Sequence, residues 1–350
     1  MNSWFVRDEN DARYYAEHIE NRLPESVFDA HVHLNLPEHV EKVSAQTVAG
    51  DWALQCGMSM SYEEAVAYHE ALFPDVAMKM LALPLPLTEA DMPANNAYLA
   101  GLVGENKVTA LMGIRPEWDA ESVEKQLLEG EFAGFKPYPY MAASEKGAEV
   151  SIFDFLPHHH LKLADRYGKT VLLHLPRKGR LADDDNIREI REIIQKYPGL
   201  RLVIAHFGRS FNVVYLREGL RKLGTDKSAL YFDTAAVMNP AVHQEGLQQL
   251  RTDQILFGTD MPILLWHGTR KWTETEYFNL SREDFPWNRH PYPEDEKNYT
   301  FFLYEQVRAM LDALEQSGAS RQEIAGVFFK NACRVYQTAG MKTPGNPCRV

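Results

Sequence analysis

Short runs of aliphatic and β-branched residues alternate along this chain with segments of helical period. The runs at 27–34, 77–85, 108–115, 132–138, 169–175, 201–207, 229–235 and 254–260 are rich in Val, Ile, Leu and Phe. They are too short for a typical helix and read as strands buried on both faces of a parallel sheet. Between them, segments 61–72, 120–128, 154–167, 184–197, 213–223 and 240–250 repeat apolar residues at helical spacing. The punctuation agrees: Asp184 and its acidic neighbours lead one helix, Tyr197-Pro198-Gly199 stops it, and Asn239-Pro240 starts another. Eight alternations of strand and helix predict an α/β fold, a (β/α)₈ barrel, in which catalytic groups gather at the C-terminal ends of the strands.

Polar residues stand at those ends. The first strand carries His31 and His33 one residue apart. Side chains at i and i+2 of a strand share a face about 7 Å apart, so two imidazoles so placed are able to converge on one ion. Further runs end in His174, in His206 and in Gly258-Thr259-Asp260. Each has a plainer reading: core imidazoles bonded to backbone carbonyls, or a loop carboxylate capping the turn before Pro262. The placement of all five groups at strand ends favours a metal-centred site over those readings.

Asp29-Ala30-His31-Val32-His33, His174, His206, the run Gly258-Thr259-Asp260-Met261-Pro262 and the Asn331-Ala332 pair in the last apolar helix resemble the amidohydrolase superfamily, in particular its amidohydrolase-2 branch of metal-dependent TIM-barrel hydrolases and decarboxylases. The resemblance extends from about residue 27 to residue 337. It implies that His31, His33 and His174 are nitrogen ligands to one divalent ion, Zn²⁺ in first place and Mn²⁺ in second, with Asp260 binding the ion or its water. A zinc ion with an open position lowers the pKa of bound water from about 15.7 toward about 7. On the same resemblance Asp260 accepts a proton and His206 polarises a substrate carbonyl or donates to a leaving group, which makes these two the catalytic pair.

A lysine after the fourth strand, Lys136, occupies the place where binuclear branches of the superfamily carry a carboxylated lysine. The mononuclear pattern favours one ion and a substrate-binding role instead. Arg115, Arg177 and Arg209 likewise follow barrel strands, and such cations suit a carboxylate-bearing substrate, with Lys136 and Arg177 foremost. Arg binds carboxylate through a bidentate fork. Between Asp260 and Tyr299 lies a long aromatic connection with His267 as its most interesting polar residue. Connections of that length are commonly lids. The triplet His158-His159-His160 falls inside a helix and reads as structural.

Composition narrows the class. No Ser/Gly-rich linker or repeat divides the 350 residues, so one domain is expected over 1–350, with an N-terminal extension at 1–26 and a lid-like insertion at 264–299. The charged opening stretch is expected to be an added helix and neither a signal peptide nor a membrane span. Cys56, Cys333 and Cys348 form no C-x-x-C pair, which argues against a disulfide framework and for a reducing cytoplasm. A net charge of −12 opposes nucleic acid and anionic membrane surfaces as partners. The partners expected are a small carboxylated substrate and, in a homo-oligomer, a second copy of the chain. The reaction expected is hydrolysis of an ester, lactone or amide bond in a small carboxylated metabolite. The alternatives are nonoxidative decarboxylation or hydration of a carboxylated aromatic or dienoic acid and, behind both, a non-catalytic ligand-binding barrel.

Overall fold

The structure, a computed structural model, describes residues 5–143, 147 and 149–337, together with the backbone of 342–343 and 346–347. Cys348 lies outside the described residues. Eight strands, β1 (Ser26–His33), β2 (Ala77–Leu83), β3 (Thr109–Gly113), β4 (Gly134–Lys136), β5 (Thr170–Leu173), β6 (Arg201–Ile204), β7 (Leu230–Asp233) and β8 (Ile255–Leu256), pair in sequence order. Every adjacent pair from β1 to β8 is parallel. The segment following β8 closes the ring onto β1: Ala30 donates to the Phe257 carbonyl at 2.9 Å, Asp260 to that of His31 at 2.9 Å and His33 to that of Met261 at 2.8 Å. The fold is a (β/α)₈ TIM barrel.

The barrel interior explains why its strands read as unbroken apolar runs. Phe28, Leu81, Leu111, Leu172, Val203 and Leu256 form a buried inner cluster that also takes in Ala332, Val335 and Tyr336 from the C-terminal end of the chain. Burying a Leu- or Phe-sized side chain stabilises by about 1.5–3 kcal/mol, so this plug firmly fixes one end of the barrel and leaves the other for polar groups. A second, larger cluster fills the layer between strands and helices. Gly134 opens β4 because nothing larger fits: a Cβ there would lie 1.7 Å from the Thr170 carbonyl oxygen of β5.

Two elements differ from the sequence expectation. The helix expected over 154–167 is broken into Ile152–Phe155 and His158–Arg166, because Pro157 offers no backbone N–H to an earlier turn and stands as the N-cap of the second piece. A helix at Met92–Gly104, capped by Asp91 and opened by Pro93, fills the space between β2 and β3. The connection after Asp260 is also more ordered than a loop. It contains an antiparallel hairpin of β9 (Gly268–Trp272) and β10 (Tyr277–Ser281).

The insertion that carries this hairpin is clamped to the N-terminal helix Glu9–His18. His267 is fully buried, with Nδ1 2.6 Å from Glu283 Oε1 and Nε2 3.1 Å from Asp11 Oδ2. These two carboxylates, opposing the cost of burial, raise its pKa. Asp11 also accepts from Thr300 Oγ1 at 2.8 Å, and Asp8 accepts from Arg282 at 2.6 Å. Among the described residues no helix is long and apolar enough to cross a membrane.

The close approach at Gly134 generates a test. Gly134→Ala sets a methyl group against backbone that has no room to give, so a loss of stability of at least about 3 kcal/mol is expected. Thermal or urea unfolding measures it, and a midpoint equal to the parent's would show that β4 and β5 separate readily.

Candidate metal centre

Four strands bring their polar ends to one place, and the backbone there is shaped for it. Pairing of β1 with β2 shifts register between Asp29 and Val32, an irregularity that re-aims His31. Gly258 allows the β8 segment to pass close to β1, since a Cβ there would come within 2.9 Å of the His31 Cβ. Asp29 ties the same two segments together, accepting from Thr259 N at 2.9 Å and Thr259 Oγ1 at 2.6 Å. Asp260 then turns its carboxylate inward from a left-handed backbone at φ 70°.

The imidazoles surround that carboxylate in a consistent orientation. His31 Nδ1 lies 2.8 Å from Asp233 Oδ2, His33 Nδ1 2.8 Å from the Pro84 carbonyl and His206 Nδ1 2.9 Å from the Ala235 carbonyl. Each partner is an acceptor, so each Nδ1 carries the proton and each Nε2 keeps a lone pair. Nε2 of His31 and of His33 lie 3.4 and 3.5 Å from Asp260 Oδ1. One ring nitrogen each of His31 and His206 and a carboxylate oxygen of Asp260 fall within 4.8 Å of one another. His174 stands beside this group, its ring 5.4 Å from that of His206 and 4.5 Å from that of Tyr138. Its Nδ1 is buried with no hydrogen-bond partner among the described residues.

Electrostatics hold the donors in metal-ready forms. Burial, helped by the Lys136 ammonium, pushes the His31 pKa well below that of free imidazole, and burial, helped by Arg209, does the same to His174. Burial takes His206 down to about 4. It would raise the carboxyl pKa of Asp260, yet any positive charge on His31 and His206 draws that pKa well below the usual carboxylate range, so the carboxylate is the member of the cluster that stays ionised. Neutral imidazoles and an ionised carboxylate are the forms that bind a divalent ion. The residues therefore fit the group that the sequence implies.

Other expected site residues are placed differently. Lys136 is buried, and its Nζ lies 3.2 Å from His31 Nε2. Burial lowers its pKa to about 8 against the pull of Asp233 and Asp260. It therefore belongs to the centre of the cluster and not to its rim. Arg177 spends its fork on Glu189, at 2.9 and 3.1 Å, and a further bond on Asn186, which leaves it a structural cation. Arg115 donates to the Thr88 and Ala90 carbonyls. Arg209 gives Nη1 to the Leu175 and Arg177 carbonyls and still acts electrostatically on His174. His267, in the lid clamp, does not join the cluster. His159 and His160 both meet the Trp118 carbonyl, in keeping with a structural role.

Asp233 was not among the expected residues. It ends β7, is fully buried, and accepts from His31 Nδ1 at 2.8 Å, His206 N at 2.7 Å and Ala235 N at 3.1 Å. Its signal was present in Leu230-Tyr231-Phe232-Asp233, an apolar run ending in a polar group like the other four. A cavity of about 70 Å³ adjoins the cluster, lined by His33 and Asp260 with Leu54, Leu85, Tyr138 and Ile263 among others.

Residues 28–338 match the model of the amidohydrolase family, and the chain belongs to that family. It is an enzyme of that family. The 5-carboxyvanillate decarboxylase of Sphingomonas paucimobilis has the same fold, with a TM-score of 0.57 at 11% identity over 90% of this chain and 99% of that one. The 2,6-dihydroxybenzoate decarboxylase of Rhizobium gives 0.55 at 12% identity over 91% and 100%. A probable 2-pyrone-4,6-dicarboxylic acid hydrolase of Acinetobacter baumannii, with citric acid bound, gives 0.54 at 11% identity over 89% and 99%. At these identities the likeness establishes the fold. A comparison with curated proteins finds no match.

The position of Asp233 leads to a specific expectation. Asp233→Asn keeps the shape but weakens the acceptor that fixes the His31 ring, and loss of such an outer partner typically costs about 10- to 100-fold in metal affinity. Metal content after dialysis against a graded chelator measures it, and retention identical to the parent's would detach Asp233 from the centre.

Proposed function

We propose that this enzyme hydrolyses an ester, lactone or amide bond of a small carboxylated molecule with the help of one divalent ion. His31, His33, His174 and Asp260 would hold the ion, zinc in first place and manganese in second. When bound, the ion supplies Lewis acidity and lowers the pKa of water. The observation that carries the reading is the shared orientation of the imidazoles: three Nδ1–H groups are tied to acceptors, and three Nε2 lone pairs face the site around one carboxylate.

Hydrolysis needs a group that takes a proton from water and passes it to the leaving atom. Asp260 is the residue for that step: an ionised carboxylate in reach of His31 and His33, on a backbone pinned by its own N–H to the His31 carbonyl. His206, with Nδ1 tied to the Ala235 carbonyl, presents Nε2 as an acceptor at the same centre. It is therefore suited to receive a hydrogen bond from substrate or water, and acts as a donor only once protonated. Tyr138, Leu54, Leu85 and Ile263 supply an apolar wall for the body of the substrate.

A second reading, nonoxidative decarboxylation, requires a proton delivered to carbon. Lys136 favours it, as an ammonium group 3.2 Å from His31 Nε2 inside the cluster.

The two reactions differ in product. Metal-loaded enzyme incubated with lactones, amides and carboxylated phenols is expected to release acid without CO₂. Stoichiometric CO₂ would replace the first reading by the second. In metal-replete Asp260→Asn, kcat is expected to fall at least about a thousandfold, the upper part of the range for general-base assistance. A fall of less than about tenfold would make the carboxylate merely structural.

A further inference from the structure

Three guanidinium groups gather beside the imidazole cluster, on the side of β5 to β7. Arg180 and Arg270 both stand over the ring of Phe211, 5.8 and 5.1 Å from its centroid. Phe211 in turn packs 6.2 Å from the His206 ring. Arg270 reaches this place from lid strand β9. Its Nη1 donates to the Ala236 carbonyl at 2.8 Å, one residue from the carbonyl that orients His206. Arg209 follows His206 by three residues and acts on both His174 and Arg180.

Arg270 is buried and Arg180 and Arg209 are partly buried, and none of them has the carboxylate partner that a buried charge ordinarily has among the described residues. Among the described residues none of the three forms an ion pair with a carboxylate within 4.0 Å, and their hydrogen bonds go to neutral carbonyl and amide oxygens. Arg180 Nη1 is buried with no hydrogen-bond partner among the described residues. Burial lowers the pKa of both Arg180 and Arg270, and each also feels another of the three guanidiniums. Nearby Arg177 shows the alternative, since it is fully neutralised by Glu189. Aromatic faces return part of the cost of burying a guanidinium, but they do not neutralise it. An incoming anion does.

We propose that Arg180, Arg209 and Arg270 form a second anion subsite, so that the preferred substrate carries two acidic groups, one beside the His31–Asp260 cluster and one on these guanidiniums. The inference rests on the metal-centred reading above and adds a substrate class to it.

Calorimetric titration of the metal-loaded full chain with benzoate and with the three benzene dicarboxylates separates the two claims. The best dicarboxylate is expected to bind at least about tenfold more tightly than benzoate, and Arg180→Met to cut that preference to within about threefold while benzoate binding changes less than about twofold. Arg270→Met is expected to do the same. Because its side chain is packed among Phe211, Tyr277 and Phe302, the partly buried Arg180 carries the test if Arg270→Met does not fold. Equal affinity for benzoate and every dicarboxylate, or a preference unchanged in Arg180→Met, overturns the subsite and leaves the metal-centred reading standing. No binding of benzoate or of any dicarboxylate overturns both.

Discussion

The open end of the barrel depends on the proton that each buried imidazole holds at Nδ1. Asp233, at the end of β7, accepts a hydrogen bond from that N–H of His31 on β1 and another from the backbone N–H of His206 after β6. Side chains from strands far apart in sequence are thereby locked to one carboxylate inside the wall of the barrel. Closure of the barrel and construction of the site are consequently one event. The bonds that join the β8 segment to β1 also deliver Asp260 to the Nε2 atoms of His31 and His33. A shift of one residue in that closure would carry Asp260 to the opposite face, as any strand register slip does.

Charge balance follows from the same geometry. One ammonium, Lys136, is buried with the carboxylates of Asp233 and Asp260, while the imidazoles beside them are held neutral. Burial raises the Asp233 pKa, so Asp260 is the firmly ionised carboxylate of the centre, and a divalent cation would be the largest positive charge held there. On the readings proposed above, an ion bound there would turn the centre positive and join Arg180, Arg209 and Arg270 in attracting anions, although the chain as a whole carries −12. Local charge and net charge would then have opposite signs at the proposed site, an arrangement that focuses anionic ligands on the barrel mouth.

Much of this was legible in the sequence, because burial on both faces forces parallel strands into continuous apolar runs and a polar residue ending such a run stands out. His31, His33, His174, His206 and Asp260 were all visible in that way. Asp233 ended a run of the same kind and escaped because a single carboxylate after Phe232 carries no motif. The cations were harder to read. Position after a strand places a residue at the rim, but the direction of its side chain is decided by which acceptors the following helix offers. Arg177 turns to Glu189, twelve residues on, whereas Arg180 meets no carboxylate among the described residues. Arg270 and His267 lie three residues apart in the same insertion, and only packing of the hairpin sends one to the site and the other to the N-terminal helix.

That hairpin connects distant parts of the chain to the chemistry. On one side His267 is held between Glu283 and Asp11, and Asp11 is a fully buried carboxylate that also accepts from Thr300. On the other, Arg270 lies among Phe211, Tyr277 and Phe302 and bonds the Ala236 carbonyl after β7. A buried ion pair that loses one partner costs about 3–5 kcal/mol, so the His267 fastening does not yield easily. The lid is in consequence a fixed wall of the site, and the N-terminal helix, remote from every candidate ligand, takes part in setting where Arg270 stands.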